Sequence, residues 1–269
     1  MKIIDAHIHF SNIKSFKEIC SKSRVDYSLE GFNNEFEDYI AIGMGVTENK
    51  GIFPDDTSIN PMTLDLDVNP NNLYTCLGFN PNQDINIDEF EKQITEKVVG
   101  LKIYAGYYHY HVHDNVYKPL LDIARKHNLP VVIHSGDTFS QKGLLKYSHP
   151  LEVDELAVMN PDINFMIAHF GDPWIMTAAE VAAKNANVYI DLSGLIVGDF
   201  HQVERFRKQE FVSHITRGLV YLDNYKKILY GSDWPLVDTR SYIKFIKELI
   251  PKEHQEDVFY NNAKNLFKI

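Results

Sequence analysis

The sequence predicts an α/β fold, a (β/α)8 TIM barrel formed as a single domain by residues 1–269, and two observations lead to it. Short apolar segments alternate with helix-like segments along almost the whole chain. Several of them are nearly continuous in apolar residues, which is typical of strands buried on both faces of a parallel sheet. Strands are predicted near 2–6, 40–46, 73–79, 98–104, 130–134, 163–168, 187–192 and 227–231. A doubly wound open sheet is the structural alternative.

Helix signals occupy segments between the predicted strands. Residues 88–94 carry apolar side chains four apart and acidic residues at their start. Residues 120–127 are followed closely by Pro130 and residues 242–250 by Pro251, and proline is a common stop signal. These helices would connect successive parallel strands of the barrel.

One stretch lacks this periodicity. Residues 47–72 contain several prolines and an acidic pair, and we predict a long loop after the second strand. Long loops at the C-terminal ends of barrel strands commonly line the active site. We therefore expect this loop, together with residues 104–116, to decide which substrate is bound.

Composition and charge exclude several classes of function. The 269 residues are 44% hydrophobic and 24% charged, which is an ordinary globular composition and not a disordered one. With 27 basic and 37 acidic residues, the formal net charge is -10, so the overall field does not attract nucleic acid or an anionic membrane. No apolar run approaches the roughly 18–20 residues that span a bilayer.

The cysteines and the first residues indicate the compartment. Cys20 and Cys76 are far apart in sequence and fit neither a disulfide framework nor a paired metal site. The chain begins directly with strand-like residues, without a charged and then apolar leader. We therefore expect a cytoplasmic protein that acts on a small molecule.

Five residues of metal-ligand type lie at the ends of predicted strands. His7 and His9 are two residues apart, so in a strand both point to the same side, where two imidazoles can bind one metal ion. His134, His169 and Asp233 each follow a later strand. Because barrel active sites are assembled from such ends, we expect the five side chains to converge. The alternative is a set of core histidines, each bonded to a backbone carbonyl.

These residues lie in segments that resemble the amidohydrolase superfamily, specifically the amidohydrolase-related branch that includes aminocarboxymuconate-semialdehyde decarboxylase. The resemblance runs over nearly the whole length and is weakest over residues 11–72. The segments that carry it are IDAHIH at 4–9, GLKI at 100–103, LPVVIHSG at 129–136, AHFG at 168–171, VYIDLSG at 188–194, ILYGSDWP at 228–235 and YNNA at 260–263.

The resemblance implies a role for each candidate. One divalent ion would take nitrogen ligands from His7, His9 and His134 and an oxygen ligand from Asp233. Imidazole and carboxylate ligands suit Zn²⁺, with Mn²⁺ or Fe²⁺ as alternatives. Asp233 would also act as the general base toward the metal-bound water. His169 would lie beside the metal and stabilise charge on the substrate oxygen.

Lys102 ends the fourth predicted strand and has three interpretations. A lysine in an apolar strand end is costly unless it is paired, so we expect it to face the site and contact a substrate carboxylate or a site carboxylate. In some binuclear members of the superfamily, a fourth-strand lysine is carboxylated and bridges two metals. The third interpretation is a lysine that snorkels to the barrel rim.

Two further groups of polar residues follow predicted strands. His109, His111 and His113 would share one face if extended, but no later residue completes a metal site in a recognisable way. We interpret them as a polar, aromatic loop over the barrel mouth. Asp191 and Ser193 end the seventh strand and are expected to orient metal ligands through hydrogen bonds.

Three functions are compatible with these residues. The favoured one is a metal-dependent hydrolase that cleaves an amide, lactone or related bond with a metal-activated water. The alternative is a metal-dependent, non-oxidative decarboxylase of a small carboxylic acid, which a motif arginine would favour, but Arg205, Arg207 and Arg240 belong to no recognisable motif. A barrel that only binds a ligand is disfavoured, because all five ligand-type positions are filled.

A homodimer is common in the branch that the chain resembles and is expected on that basis alone.

Overall fold

The computed structural model of the protein describes residues 1–10, 20–45, 70–82, 84–208 and 212–269. Within these ranges, eight parallel strands form one sheet in sequence order. They are β1 (Ile4–Ile8), β2 (Ile40–Met44), β3 (Leu73–Phe79), β4 (Val98–Ile103), β5 (Val131–Ile133), β6 (Phe165–Ile167), β7 (Val188–Asp191) and β8 (Ile228–Leu229). The predicted barrel is confirmed, and the open sheet, whose strand order would reverse, is wrong. Most of the predicted loop 47–72 lies outside the described residues.

The first and last strands meet, which closes the sheet into a barrel. The backbone N–H of Ala6 donates to the carbonyl of Tyr230 over 2.9 Å, and the N–H of Asp233 donates to the carbonyl of His7 over 2.8 Å. Ile8 and Trp234 form a further parallel bridge. Residues that follow β8 therefore continue its pairing with β1.

Helices connect the strands. Their bounds are α1 (Leu29–Glu35), α2 (Ile87–Glu91), α3 (Lys118–His127), α4 (Leu151–Met159), α5 (Ile175–Lys184), α6 (Phe200–Arg207), α7 (Ser213–Leu222), α8 (Thr239–Leu249) and α9 (Asn262–Phe267). The predicted helices correspond to α2, α3 and α8, and local signals explain two of their ends. The side chain of Asp238 accepts the N–H of Ser241 at the start of α8. Asn128 adopts a left-handed conformation, with φ 52°, at the end of α3.

The helices of the described ranges include none with the length and apolar character that a bilayer crossing requires. A cytoplasmic location stays a prediction.

The barrel interior is apolar at the end where the strands begin. Val132 and Met166 belong to a buried cluster to which α9 contributes Phe267. Gly100 allows this packing, because a Cβ there would lie 2.7 Å from Cys76 Sγ and 3.3 Å from the Phe267 ring. The last helix therefore closes this end of the barrel.

Candidate active site

An irregularity in β1 determines where its histidines point. Asp5 pairs with Ala41 on β2, whereas Ile8 pairs with Gly43, so β1 takes three steps where β2 takes two. One extra residue in a strand makes a β-bulge, and the side chains that follow it point to the other face.

The change of face is visible in the packing around the bulge. Ala6 lies in the interior cluster, whereas Ile8 packs with Phe32 of α1 outside the barrel. His7 and His9, on the opposite side from Ile8, point into the barrel. The predicted strand 2–6 begins and ends two residues before β1 does. The difference arises because the bulged segment that carries His7 is part of β1.

His7, His169 and Asp233 form a compact group of candidate ligands. One ligand atom of each lies within 4.8 Å of the others. His9 lies against this group, since its Nε2 is 3.1 Å from Asp233 Oδ1, and Nε2 of His7 is 3.7 Å from the same oxygen. His7, His9 and Asp233 are buried, and His169 is partly buried.

His134 lies beside this group. Its ring centroid is 5.0 Å from that of His169. Its Nε2 is 2.9 Å from the carbonyl oxygen of Asp137. Because a carbonyl only accepts, Nε2 carries the proton and Nδ1 keeps the lone pair. The resemblance implies His134 as a ligand and His169 as a residue beside the metal. Among the described residues, the group of ligand atoms within 4.8 Å of one another includes His169 and does not include His134.

Asp191 orients two of the histidines. Its Oδ2 accepts from Nδ1 of His7 over 2.8 Å, and its Oδ1 accepts the backbone N–H of His169 over 3.0 Å. Because Nδ1 of His7 donates, its Nε2 presents a lone pair. Asp191 and His7 are 184 residues apart, so only the resemblance of the seventh strand could suggest the pair.

Ser193 sets the tautomer of His169. Its Oγ lies 2.9 Å and its carbonyl oxygen 3.2 Å from Nδ1 of His169. The same Oγ donates to Asp191, so it accepts from the histidine, and Nδ1 carries the proton. Nε2 of His169 therefore keeps its lone pair, as Nε2 of His7 does.

The backbone near these side chains adopts conformations that L-residues rarely take. His169 and Asp233 have φ angles of 58° and 65°. Such left-handed residues cost of order 1–3 kcal/mol each and persist where the surroundings require them. At Gly194, with φ 67°, a Cβ would lie 2.9 Å from His169 Nδ1 and 3.0 Å from Asp233 Oδ2. Only a glycine lets the loop after β7 approach both side chains this closely.

The side chain of Asp5 points away from the barrel interior and links β1 to the segment after β8. Its Oδ1 accepts the backbone N–H of Ser232 over 2.9 Å and that of His7 over 3.3 Å. Burial raises the pKa of Asp5 to about 7, against the hydrogen bonds from Ser232. The sequence gives no role to this residue, because its partner Ser232 lies near the other end of the chain.

Burial favours the neutral form of three of the imidazoles. It lowers the pKa of His7 to about 3, with the positive charge of Lys102 acting in the same direction. It also holds the pKa of His134 well below its usual value and lowers that of His169. Neutral imidazole is the form that binds a metal ion.

The two carboxylates stay ionised. Burial alone would raise the pKa of Asp233, but His169 and His9 outweigh it and keep that pKa below its usual value. Burial acts in the same way on Asp191, where the contact with His7 lowers the pKa more. The cluster therefore combines neutral nitrogen donors with anionic oxygen donors.

Lys102 is fully buried, which excludes the snorkelling interpretation. Its Nζ has no hydrogen-bond partner among the described residues and lies 5.2 Å from the ring centroid of Tyr104. Burial lowers the pKa of Lys102 to about 8, against the attraction of Asp191 and Asp233. A buried ammonium without a hydrogen bond is costly unless an anion completes its surroundings.

The donor set fits a divalent metal ion. Nε2 of His7 is buried and lacks a hydrogen-bond partner among the described residues, which costs free energy unless something binds that lone pair. Imidazole nitrogens and a carboxylate oxygen are ligands that Zn²⁺ prefers and that Mn²⁺ and Fe²⁺ accept. The side chains present are thus consistent with a divalent ion and leave its identity open.

Tyrosines of the loop after β4 line one side of the cluster. Tyr104, Tyr107 and Tyr108 pack together, and the Tyr107 ring lies 4.9 Å from the ring of His134. The hydroxyl of Tyr107 accepts the backbone N–H of Phe139 over 2.9 Å. Part of the loop 104–116 therefore forms an aromatic wall beside the candidate ligands.

The sequence matches the amidohydrolase family over residues 4–269. The chain belongs to this family. The match confirms the resemblance described above, and it identifies the protein as an enzyme of the amidohydrolase type. No curated protein matches the sequence significantly.

Solved structures that share the fold include both hydrolases and decarboxylases. A probable 2-pyrone-4,6-dicarboxylic acid hydrolase from Acinetobacter baumannii, with citric acid bound, is 15% identical with a TM-score of 0.67, and the match covers 100% of both chains. An amidohydrolase from Burkholderia multivorans with bound Zn is 13% identical with a TM-score of 0.68, again over 100% of both chains. The 5-carboxyvanillate decarboxylase from Sphingomonas paucimobilis is 14% identical with a TM-score of 0.62 over 100% of this chain and 99% of the other. At these identities the likeness shows the fold alone.

Proposed function

We propose that this amidohydrolase is a metal-dependent hydrolase that cleaves an amide, lactone or related bond in a small molecule. The observation that carries the proposal is the group of His7, His169 and Asp233, whose ligand atoms lie within 4.8 Å of one another. The group includes a buried nitrogen, Nε2 of His7, to which the part of the chain that the structure describes offers no hydrogen-bond partner. A bound cation accounts for both features, because it would bind the lone pair of this nitrogen and the anionic oxygen of Asp233 together.

The proposed ligands of one divalent ion are His7, His9, His134 and Asp233, with Zn²⁺ as the first candidate and Mn²⁺ or Fe²⁺ as alternatives. When bound, such an ion polarises a substrate carbonyl and lowers the pKa of a bound water to about 7. The hydrogen bonds to Asp191 and to the Asp137 carbonyl leave Nε2 of His7 and Nδ1 of His134 as the donor nitrogens.

The chain's own side chains would move the proton and stabilise the charge. Asp233, which stays ionised, accepts the proton of the attacking water and later delivers it to the leaving group. His169 contacts the substrate oxygen on which negative charge develops. The buried ammonium of Lys102 pairs with a carboxylate of the substrate.

Lys102 also supports a second candidate, a non-oxidative decarboxylase. A fully buried cation that has no hydrogen-bond partner among the residues described is suited to a carboxylate, and a carboxylate is the group that a decarboxylase removes. One solved structure of the same fold is a decarboxylase, and fold alone does not distinguish the two reactions.

The test combines metal analysis with a substrate screen. Elemental analysis of the purified protein counts bound zinc, manganese and iron, and the screen compares lactones and amides with carboxylated aromatics while CO₂ release is followed. Asp233→Asn is the test variant. Asp122→Asn, a change at an exposed carboxylate, is the matched control.

We expect at least one equivalent of metal and hydrolysis of a lactone or amide without CO₂ release. Asp233→Asn, but not the control, should lose turnover and the equivalent of metal bound at the central site. CO₂ release would replace the hydrolase with the decarboxylase. Protein that is metal-free, and that turns over substrate unchanged when chelated, would refute the metal-dependent mechanism.

A further inference from the structure

We propose that the protein has a second divalent-cation site, formed by His111, His113, Glu152 and Glu155. The histidines lie in the loop after β4, and the glutamates lie on α4. The sequence leaves this histidine group without a visible completion, because the acidic partner of His111 follows 41 residues later. The proposal does not depend on the chemistry of the central site.

Glu152 contacts both histidines. Its two carboxylate oxygens lie 3.0 and 2.9 Å from Nδ1 of His111, and its Oε2 lies 4.0 Å from Nδ1 of His113. Glu155 Oε2 lies 3.8 Å from the same nitrogen of His113. Glu152 and Glu155 are three residues apart on a helix, so they share one face. The two imidazole rings are stacked, with centroids 5.3 Å apart and planes at 18°.

This cluster has two carboxylates without a lysine or arginine partner and one imidazole nitrogen without a hydrogen bond among the described residues. Nδ1 of His113 is shielded from solvent and has no hydrogen-bond partner in the described part of the chain. Within the described ranges, the ion pairs of both glutamates are with these histidines, and neither glutamate pairs with a lysine or an arginine. A dication would neutralise the two carboxylates and bind the free nitrogen.

The donor atoms determine which cations fit. Two nitrogens with two carboxylates favour a borderline ion such as Zn²⁺, Ni²⁺ or Cu²⁺ over Mg²⁺ or Ca²⁺, which prefer oxygen alone. Metal–ligand distances of about 2.0–2.2 Å place neighbouring ligand atoms roughly 3.3–3.5 Å apart. In the structure, the histidine nitrogens and glutamate oxygens lie near one another in pairs and not around one common point. Binding of one ion therefore requires the His113 ring to turn toward the glutamates. A metal bound at Nδ1 of His111 requires the tautomer that carries its proton on Nε2.

A cation here would fasten the loop after β4 to α4. The same loop carries Tyr107, whose ring contacts His134 of the central site. The second site would therefore stabilise one wall of the barrel mouth without touching the substrate.

The experiment measures Zn²⁺ bound by the full chain, by equilibrium dialysis with elemental analysis and by calorimetric titration. The test variants are His111→Asn/His113→Asn and Glu152→Gln. His109→Asn is the matched control, because His109 lies in the same loop but its Nε2 bonds the carbonyl of Lys142. Circular dichroism checks that each variant is folded.

We expect the wild-type protein to bind one equivalent more than the double variant, and Glu152→Gln to weaken that equivalent at least tenfold. His109→Asn should bind as the wild type does. The extra equivalent should survive in Asp233→Asn, which separates it from the central site, and in Lys102→Met, which separates it from a lysine-bridged pair of ions. Equal stoichiometry in the wild type and the folded double variant would overturn the proposal, and so would an equal loss in His109→Asn.

Discussion

The two ends of the barrel are built from the same strands but differ in what their inward side chains can do. At the end closed by α9, Val132 packs in an apolar cluster with Phe267. Two residues further along the same segment, His134 faces His169 at the other end. The first end is filled by apolar packing, whereas at the second a buried nitrogen of His7 has no hydrogen-bond partner within the described ranges. Stability and chemistry are thus separated along the strand direction.

Asp233→Asn tests the end of the barrel that carries the candidate site, here called the chemical end, and it should have the largest effect. Loss of the ionised carboxylate removes both a proposed ligand and the general base, so we expect turnover to fall about 10³-fold or more. Cooperative unfolding should be retained, since the apolar packing of the barrel is untouched; the unfolding free energies are compared on metal-free protein, because loss of a bound ion itself lowers stability. Steady-state kinetics beside Asp122→Asn and urea denaturation measure the two quantities. Retained turnover would place the chemistry on other residues.

Phe267→Ala tests the closed end. The Phe267 side chain is 3% exposed, and its removal should lower the unfolding free energy by about 3–5 kcal/mol. Metal content per folded molecule should stay the same. Urea denaturation measures the loss, and Val158→Ala, at a side chain that is 58% exposed, is the control, with an expected change below about 0.5 kcal/mol. A variant that loses metal but not stability would contradict the separation of the two ends.

Asp191→Asn tests how far the chemical end depends on oriented histidines. The amide keeps the shape but loses the charge that faces Nδ1 of His7. We expect the affinity of the central site for Zn²⁺ to fall about 10–100-fold while the protein stays folded. Competition with a coloured chelator measures the affinity. Ser193→Ala, which removes a hydroxyl contact to Asp191, should have a smaller effect, and the reverse order would argue against this role.

Asp154→Asn tests a surface contact outside both ends. Burial favours the neutral acid, but hydrogen bonds from Lys184 and Asn185 outweigh it and keep the pKa of Asp154 below its usual value. The ionised form therefore stabilises the fold above about pH 4, and this contribution is lost as the pH falls through the folded-state pKa. We expect Asp154→Asn to cost up to about 1 kcal/mol at pH 7. The difference from the wild type should shrink at pH 3, and urea denaturation at both values checks this.

The sequence predicts the strands and their order of appearance well, because apolar runs bounded by polar residues mark segments that are buried on both faces. It also predicts that residues such as His134 and Asp233 lie at strand ends. The pattern gives no sign of the bulge in β1, because the register of two strands is not visible in one of them. Contacts across the barrel are equally hidden, as the pair of Asp191 with His7 and the pair of Glu152 with His111 show. Both depend on a closed sheet that brings remote segments together.

The bulge in β1 has a consequence for protein engineering. If the hexapeptide at residues 4–9 were grafted onto a regular strand of another barrel, Ile4, Ala6 and Ile8 would all share one side, and both imidazoles would face the surrounding helices. A successful transplant must carry the additional backbone step together with Asp5, whose carboxylate secures it to the neighbouring segment. What can be moved between scaffolds is therefore a kinked piece of backbone with its anchor, and the HxH letters alone are insufficient.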